Sequence, residues 1–314
     1  MTYAREAQKM NKPVMASVII PCYNQASRLA LTLESFRYQQ LDADWRFEVV
    51  VVDDGSSDET PAVIEQYQRQ LPLTGIWQAN KGRAAARNAG LQASSGNVLL
   101  FTDADRPVSN TWIQDHLNLQ FSRPLAIGVG EIREFYFSNL EARVPALREA
   151  MASNYQPMRR LSRPYSYWEF IRQSVDNQGK SLLNAPWTMT LIGNLSVSRS
   201  LVEAAGMFDE GFTGWGFEHF ELGYRLHKVG ASFWRVDGAV NYHLAHGRPA
   251  SFYANQIRES LAHFLTLHSD RAVEALLPLL LGEISLGEYD LLAGGGATRL
   301  PEAVRALKYT APFS

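Results

Sequence analysis

Apolar runs and polar breaks alternate regularly along the first third of the chain. Ala16-Ser-Val-Ile-Ile-Pro21 is a short apolar run closed by proline, the form of a strand buried on both faces. From Ala26 to Gln40, Leu29, Leu33 and Phe36 recur at helical spacing. A second apolar run, Phe47-Glu-Val-Val-Val-Val-Asp53, breaks at Asp54-Gly-Ser. Thr60 and Pro61 read as an N-cap and first helical position, ahead of a stripe of Val63, Ile64, Tyr67 and Leu71. A further helix follows Gly82, and Asn97-Val-Leu-Leu-Phe-Thr102 reads as a third full-strength strand. This alternation predicts an α/β fold, a mostly parallel sheet with helices on both faces. Such sheets bind ligands at the carboxyl ends of their strands.

Farther along, the pattern is less regular. Residues 107–185 mix amphipathic segments, and Met158-Arg-Arg-Leu-Ser-Arg-Pro164 reads as a loop beside the site. A strand-like segment from Leu191 leads into Gly-rich turns and a polar cluster at 214–221. Residues 250–314 read as a mainly helical extension, broken at Gly294-Gly-Gly296. The division expected is a flexible polar leader over 1–14, one domain over 15–249 with halves meeting at 106/107, and the extension.

Composition excludes several classes. Hydrophobic residues at 46% and charged residues at 20% are ordinary for a globular protein. A net charge of −2 gives no reason to expect nucleic acid as a partner. The single cysteine, Cys22, allows no intramolecular disulfide and fits a reducing cytoplasm. The longest apolar run, Ala275-Leu-Leu-Pro-Leu-Leu-Leu281, is too short to span a bilayer, which leaves peripheral membrane association compatible.

The sharpest chemical signal is Asp103-Ala-Asp105, directly after the strand ending at Thr102. Two carboxylates one residue apart on a strand-exit loop can converge on one hard cation, Mg²⁺ or Mn²⁺. Asp53-Asp54-Gly55-Ser56 ends the second strand, where a carboxylate can accept from an imide N–H such as that of uracil. Asn80-Lys-Gly-Arg-Ala-Ala-Ala-Arg-Asn88 opens a helix whose N-terminus, Arg83 and Arg87 can face phosphates or the Asp103 loop.

Ser17-Val-Ile-Ile-Pro-Cys-Tyr-Asn24, Val51-Val-Asp-Asp-Gly-Ser56, Asn80–Asn88 and Thr102-Asp-Ala-Asp105, in that order, resemble the nucleotide-binding half of family-two inverting glycosyltransferases. The resemblance implies a GT-A three-layer sandwich and transfer of a sugar from a UDP-sugar donor to an acceptor hydroxyl. It implies that Pro21 and Tyr23 line the base pocket, with Asn24 and Asn80 beside the donor. Asp53 would read uracil, Asp103 would lie near ribose and metal, and Asp105 would be the direct metal ligand. The metal would neutralise charge on the departing diphosphate.

The resemblance continues through Gly193-Asn-Leu-Ser196, Gly206-Met-Phe-Asp209 and Phe212-Thr-Gly-Trp-Gly-Phe-Glu-His-Phe-Glu221, which are similar to galactosyl-, N-acetylgalactosaminyl- and chondroitin-polymerase-type transferases. Asn194 and Trp215 are the expected sugar or acceptor platform. Those relatives carry Glu-Asp, the Asp acting as base, where this chain has Glu218-His219. Either residue can take the acceptor proton; Glu221 ranks behind, as the partner of an i+4 ion pair with Arg225. In Tyr242-His-Leu-Ala-His-Gly-Arg248, His243 or His246 is the expected third metal ligand, and Arg248 a diphosphate contact. His116, His227, His263 and His268 read as structural. The donor sugar is left open, as is the acceptor: a glycan, a lipid-linked sugar, a peptide or a small molecule. A sugar-phosphate nucleotidyltransferase is disfavoured, because Pro21-Cys-Tyr-Asn24 stands where its Gly-rich basic loop belongs. His219 at the usual Asp position keeps a non-catalytic sugar-nucleotide sensor as the other alternative.

Overall fold

The computed structural model describes residues 14–153, 155–214, 216–245 and 250–309. Among them, eight strands form one sheet: β1 (Val14–Cys22), β2 (Trp45–Asp53), β3 (Leu73–Trp77), β4 (Val98–Thr102), β5 (Ala126–Tyr136), β6 (Arg163–Pro164), β7 (Asn194–Ser198) and β8 (Ser232–Ala245). The order is β3-β2-β1-β4-β7-β5-β6, with β8 paired to β5. The first four strands are mutually parallel, β7 runs against β4 and β5, and β8 is parallel to β5. The mostly parallel α/β sheet is therefore as expected.

The apolar runs bury both faces of their strands. Ile19, Val50, Val52, Leu99 and Phe101 belong to one core, together with Ala84 and Ala86 of α3 (Arg83–Ala93). Val18, Ile20, Val49, Val51 and Leu100 face the other core, against α1 (Ala26–Phe36), α2 (Thr60–Gln68) and α4 (Trp112–Ser122). Gly90 lets α3 approach closely, since a Cβ there would lie 2.6 Å from Ile19 Cγ2.

Some local readings are corrected. The Leu73–Trp77 strand was not expected; it is the short edge strand, and its mixed exposure hides it from a search for apolar runs. The Asp103 loop therefore follows the fourth strand in sequence. Helix α1 ends at Phe36 rather than near Gln40. Thr60 is not the N-cap of α2: it is the first helical residue, and Asp58 Oδ1 accepts both its N–H (3.0 Å) and its hydroxyl (2.6 Å). The 158–164 stretch is not a loop, because it holds most of helix α6 (Gln156–Leu161) and strand β6. Between β5 and α6 lies α5 (Val144–Ser153), and after β6 comes α7 (Ser166–Gln173). Two helices follow β7: α8 (Arg199–Ala205) directly, and α9 (Glu218–Lys228).

The C-terminal extension is helical, as expected, in α10 (Ala250–Leu267), α11 (Arg271–Glu274), α12 (Leu276–Leu280), α13 (Leu286–Ala293) and α14 (Glu302–Arg305). It does not stand apart from the domain. Leu261, Phe264, Leu276, Leu279, Tyr289 and Tyr309 belong to the same apolar core as Leu99, Phe101 and Leu195. No described helix is long and apolar enough to cross a membrane.

His116 of α4 is structural, and its burial makes stability depend on pH. Its Nδ1 lies 2.9 Å from Ser196 Oγ and its Nε2 2.9 Å from Asn194 Oδ1. Burial drives its pKa from 6.5 down to about 4, partly opposed by Asn194. Between those values the unfolded chain takes up a proton that the folded chain refuses. Its contribution is thus full above pH 6.5 and fades as pH falls toward 4, by about 3 kcal/mol. Urea titrations at about pH 7 and about pH 4 should show that loss in the parent, and a smaller one in His116→Gln.

Candidate active site

The carboxyl ends of β1, β2 and β4 lie side by side and present Pro21 and Tyr23, the Asp53 turn and the Asp103 loop. A cavity of 560 Å³ opens there. Pro21, the half-exposed Tyr23, Asp54, Asn80, Arg83 and Arg87 contribute to its lining, with Asp103, Asp105, Arg106, Glu134, Glu218, His219 and His243.

The turn after β2 divides its labour between two aspartates. Asp54 is structural: its carboxylate accepts from the backbone N–H groups of Lys81 and Gly82, both at 2.9 Å, and from Gln78 Nε2 at 2.7 Å. It thereby fastens the loop that opens α3. Asp53 is buried, with Oδ1 accepting from Ser56 N at 2.9 Å and Oδ2 without a hydrogen-bond partner among the described residues. That spare oxygen is an acceptor of the kind a base N–H requires, although Asp53 itself is not among the residues lining the cavity.

Asp103 and Asp105 differ in their partners. Asp103 is held from both sides, by Arg87 Nη2 on Oδ1 at 3.2 Å and by Arg106 Nε on Oδ2 at 2.9 Å. Burial raises its pKa, but Arg106 and Arg87 outweigh that and hold it below the usual carboxylate range. Gly193 makes the Arg106 contact possible, because a Cβ there would lie 2.7 Å from Arg106 Nε and 2.8 Å from Asp103 Oδ2. Asp105 lies 3.8 Å from Arg106 Nε through Oδ1 and faces His243 of β8 through Oδ2, 3.5 Å from Nε2. The loop is pinned to β8 by Leu244 N on Asp105 O at 2.9 Å, and to α1 by the Thr32 hydroxyl on Ala104 O at 2.8 Å.

Behind His243, Glu134 of β5 lies 3.3 Å from Nδ1. A carboxylate on one ring nitrogen fixes the tautomer and aims the other nitrogen, as in metal-binding histidines. Burial and Arg106 push the His243 pKa down, but Asp105 and Glu134 outweigh them and raise it. The place between the two carboxylates thus favours positive charge. Among the described residues no three His, Cys, Asp or Glu side chains gather closely enough to hold a metal ion by themselves. Asp105 and His243 fit as two donors of a site whose other ligands would come from substrate and water.

Across the cavity, α9 starts under backbone constraint. Phe217, its N-cap, has φ +66°, a left-handed conformation costly for a non-glycine residue, and its ring is buried. That turn places Glu218 and His219 in the first helical turn, where the dipole favours a carboxylate. Arg87 of α3, 2% exposed, donates from Nη1 to Glu218 Oε1 at 2.9 Å while its Nη2 holds Asp103. One buried guanidinium thus ties the Asp103 loop to α9. Burial pushes the Glu218 pKa up, yet the His219 imidazole and Arg87 outweigh it and keep Glu218 ionised far below its ordinary range. His219 Nδ1 is 3.8 Å from Glu218 Oε2, beyond hydrogen-bond length, and the pair is ionic only when the ring carries a second proton.

Several expected contacts are reassigned. Of the two placements expected for Arg87 it takes the one on the Asp103 loop, as an internal tie, and Arg83 of the same helix is the less buried of the two cations lining the cavity. Asn24 joins two loops, with Oδ1 accepting from Ser57 N at 2.8 Å. Asn194 is not a sugar platform. It is fully buried, donating to Glu131 O and Ala239 O, both at 2.9 Å, and accepting from Trp112 Nε1 at 2.7 Å and His116 at 2.9 Å. No hydrogen-bonding capacity remains for a ligand. Glu221 forms the expected pair with Arg225, at 2.7 Å, and lies 2.8 Å from His268 Nε2. Trp215, His246 and Arg248 lie outside the described residues. Sequence reading missed Arg106, whose i+3 spacing from Asp103 was a usable signal. It also missed Glu134, Tyr165 and Tyr309, which reach the cavity from distant segments with no motif around them.

A cavity at the carboxyl ends of a mostly parallel sheet, lined by the acidic Asp103 loop, fits a glycosyltransferase-type domain, and comparison with known proteins agrees. The family model described as glycosyl transferase family 2 matches residues 17–179, more than half of the chain. The chain belongs to glycosyl transferase family 2. It is 30% identical over 257 residues to the uncharacterized glycosyltransferase YfnE of Bacillus subtilis (strain 168), covering 74% of this chain and 65% of that one. It is 30% identical over 237 residues to chondroitin synthase of Escherichia coli, covering 72% of this chain and 34% of that one. To validoxylamine A glucosyltransferase of Streptomyces hygroscopicus subsp. jinggangensis (strain 5008) it is 32% identical over 223 residues, covering 69% and 52%. The chain therefore spans between a third and two thirds of these relatives' lengths. The crystal structure of S. aureus TarS 1–349 in complex with UDP superposes with a TM-score of 0.58 at 18% identity, over 86% of this chain and 72% of that one. That likeness establishes the fold.

Proposed function

We propose that the protein transfers a sugar from a UDP-sugar to an acceptor hydroxyl by a single inverting displacement. The observation that carries the reading is that Asp103, Asp105 and His243 line the same cavity as Glu218 and His219. The unspent oxygen of Asp53 supports uridine as the base. Solved relatives of the fold in complex with UDP and with UDP-GlcNAc support the same donor class.

Asp105 and His243 would hold Mn²⁺ or Mg²⁺, which when bound neutralises charge on the diphosphate leaving group. Arg83 adds positive charge to the same wall. The acceptor oxygen bonds to the anomeric carbon as the carbon–oxygen bond to UDP breaks, and the UDP oxygen keeps the electron pair. The acceptor proton passes to His219. Glu218 is a poor base, since it is ionised at a depressed pKa and bound to Arg87. Its charge beside the ring instead stabilises the imidazolium that forms.

Purified protein with Mn²⁺ is expected to release UDP from at least one member of a UDP-sugar panel, and an α-linked donor should yield a β-linked product by NMR. His219→Asn should bind UDP like the parent and transfer roughly 10²–10⁴-fold more slowly. Retained α configuration would exclude the single displacement, and binding without turnover would favour the sensor reading.

A further inference from the structure

His219 stands at a seam in the cavity. On one side are Glu218, Arg87 and Asp103, joined by ion pairs. On the other, the His219 ring lies 4.3 Å from Phe220, which begins a run of aromatic contacts. Phe220 meets Tyr167 at 6.2 Å, and Tyr167 meets Tyr309 edge-on at 5.2 Å. Leu191, Ile192 and Leu280 line the same cavity and belong to the same apolar core as Phe220, Tyr167 and Tyr309.

The hydroxyls of Tyr167 and Tyr309 on this wall are already engaged. The Tyr167 hydroxyl donates to Thr188 O at 2.7 Å, and the Tyr309 hydroxyl is 3.3 Å from Ser166 Oγ. The wall can therefore offer a ligand surface to pack on and few hydrogen bonds.

We propose that the acceptor carries its reactive hydroxyl on a compact apolar body, an aryl or alkyl alcohol, rather than on a free sugar ring. The proposal rests on the UDP-sugar reading above. Displacement requires the acceptor hydroxyl at His219, and the donor takes the charged side. The acceptor's body then lies along Phe220, Tyr167 and Tyr309. A saccharide there strips several hydroxyls of water and returns few partners, at roughly tenfold in affinity for each one left unpaired. An apolar body loses nothing of that kind and gains by leaving water. Leu280 and Tyr309 belong to the C-terminal extension, beyond the 17–179 family match, so the extension adds to the apolar character of this wall.

The test uses the full chain with Mn²⁺ and whichever UDP-sugar it hydrolyses fastest. Benzyl alcohol, 4-nitrobenzyl alcohol and hexanol are compared at equal concentration with glucose, N-acetylglucosamine and lactose. UDP release is followed, and products are read by mass spectrometry. At least one alcohol should raise UDP release about tenfold over water and yield its glycoside, while each saccharide raises it less than twofold. Leu280→Gln and Tyr309→Ser, checked for folding by thermal melting, should lower the ratio of alcohol-stimulated to background release about tenfold. Equal or stronger stimulation by saccharides overturns the proposal, as does a ratio unchanged in both folded variants. Background hydrolysis without stimulation by any alcohol overturns it too, and leaves the donor reading standing. No release from any UDP-sugar removes the donor reading, and the acceptor proposal with it.

Discussion

Replacing Asp105 with alanine is expected to lower kcat/KM for UDP-sugar turnover by about a thousandfold, and to abolish its response to Mn²⁺. The expectation follows from the asymmetry of the two loop carboxylates. Asp103 is bound closely by Arg87 and Arg106, whereas Asp105 lies farther from Arg106, at 3.8 Å, and faces a histidine whose far nitrogen is held by Glu134. On the metal reading proposed above, Asp105 is the carboxylate that would share a cation with substrate. Losing it withdraws charge stabilisation from the transition state, a loss of order 3–4 kcal/mol when one preorganised group is removed. The fold should survive, because the loop is pinned through backbone atoms, Leu244 N on Asp105 O and the Thr32 hydroxyl on Ala104 O. His243→Ala should show the same loss of metal response with a smaller fall in rate. A Mn²⁺ titration of parent and variants, read as UDP release, decides the matter. Parent-like turnover by Asp105→Ala would remove the metal assignment.

Arg87→Met is the change expected to cost most in stability, about 3–5 kcal/mol. The guanidinium is 2% exposed and touches Asp103 and Glu218, and Glu218 is itself 4% exposed. Methionine fills much of the volume but leaves the Glu218 carboxylate buried without its ionic partner. Restoring neutrality should recover part of the loss, so the double variant Arg87→Met/Glu218→Gln should be more stable than Arg87→Met alone. Urea denaturation of the four members of the cycle gives the coupling directly. Losses that simply add would mean that the Arg87–Glu218 bridge is energetically idle. Activity should fall in Arg87→Met as well, because the same guanidinium fixes the Asp103 loop against α9.

Much of the nucleotide half was legible in the chain, because its signals are local. Val-Val-Val-Val before Asp53, and Val-Leu-Leu-Phe-Thr before Asp103, can bury both faces only in a covered parallel sheet. The carboxylates that follow must then stand at strand exits. The edge strand Leu73–Trp77 escaped notice for the complementary reason: four of its five residues meet solvent at least in part and form no apolar run. Asn194 misled because a motif position specifies a residue without saying which way its side chain points. The fold turned it inward to Trp112 and His116.

The sequence by itself determined the parallel strands β1, β2 and β4, their helical cover and the family, because apolar periodicity and residue order are properties of neighbours along the chain. Only the tertiary structure decided what each charged group does. Arg87 became an internal tie because α3 and α9 meet across the cavity, Glu134 came behind His243 because β5 pairs with β8, and Tyr309 reached the site because the C-terminal helices share the domain's core. A charge is set by whatever surrounds it in space, and those surroundings come from segments too far apart in the chain for spacing to reveal.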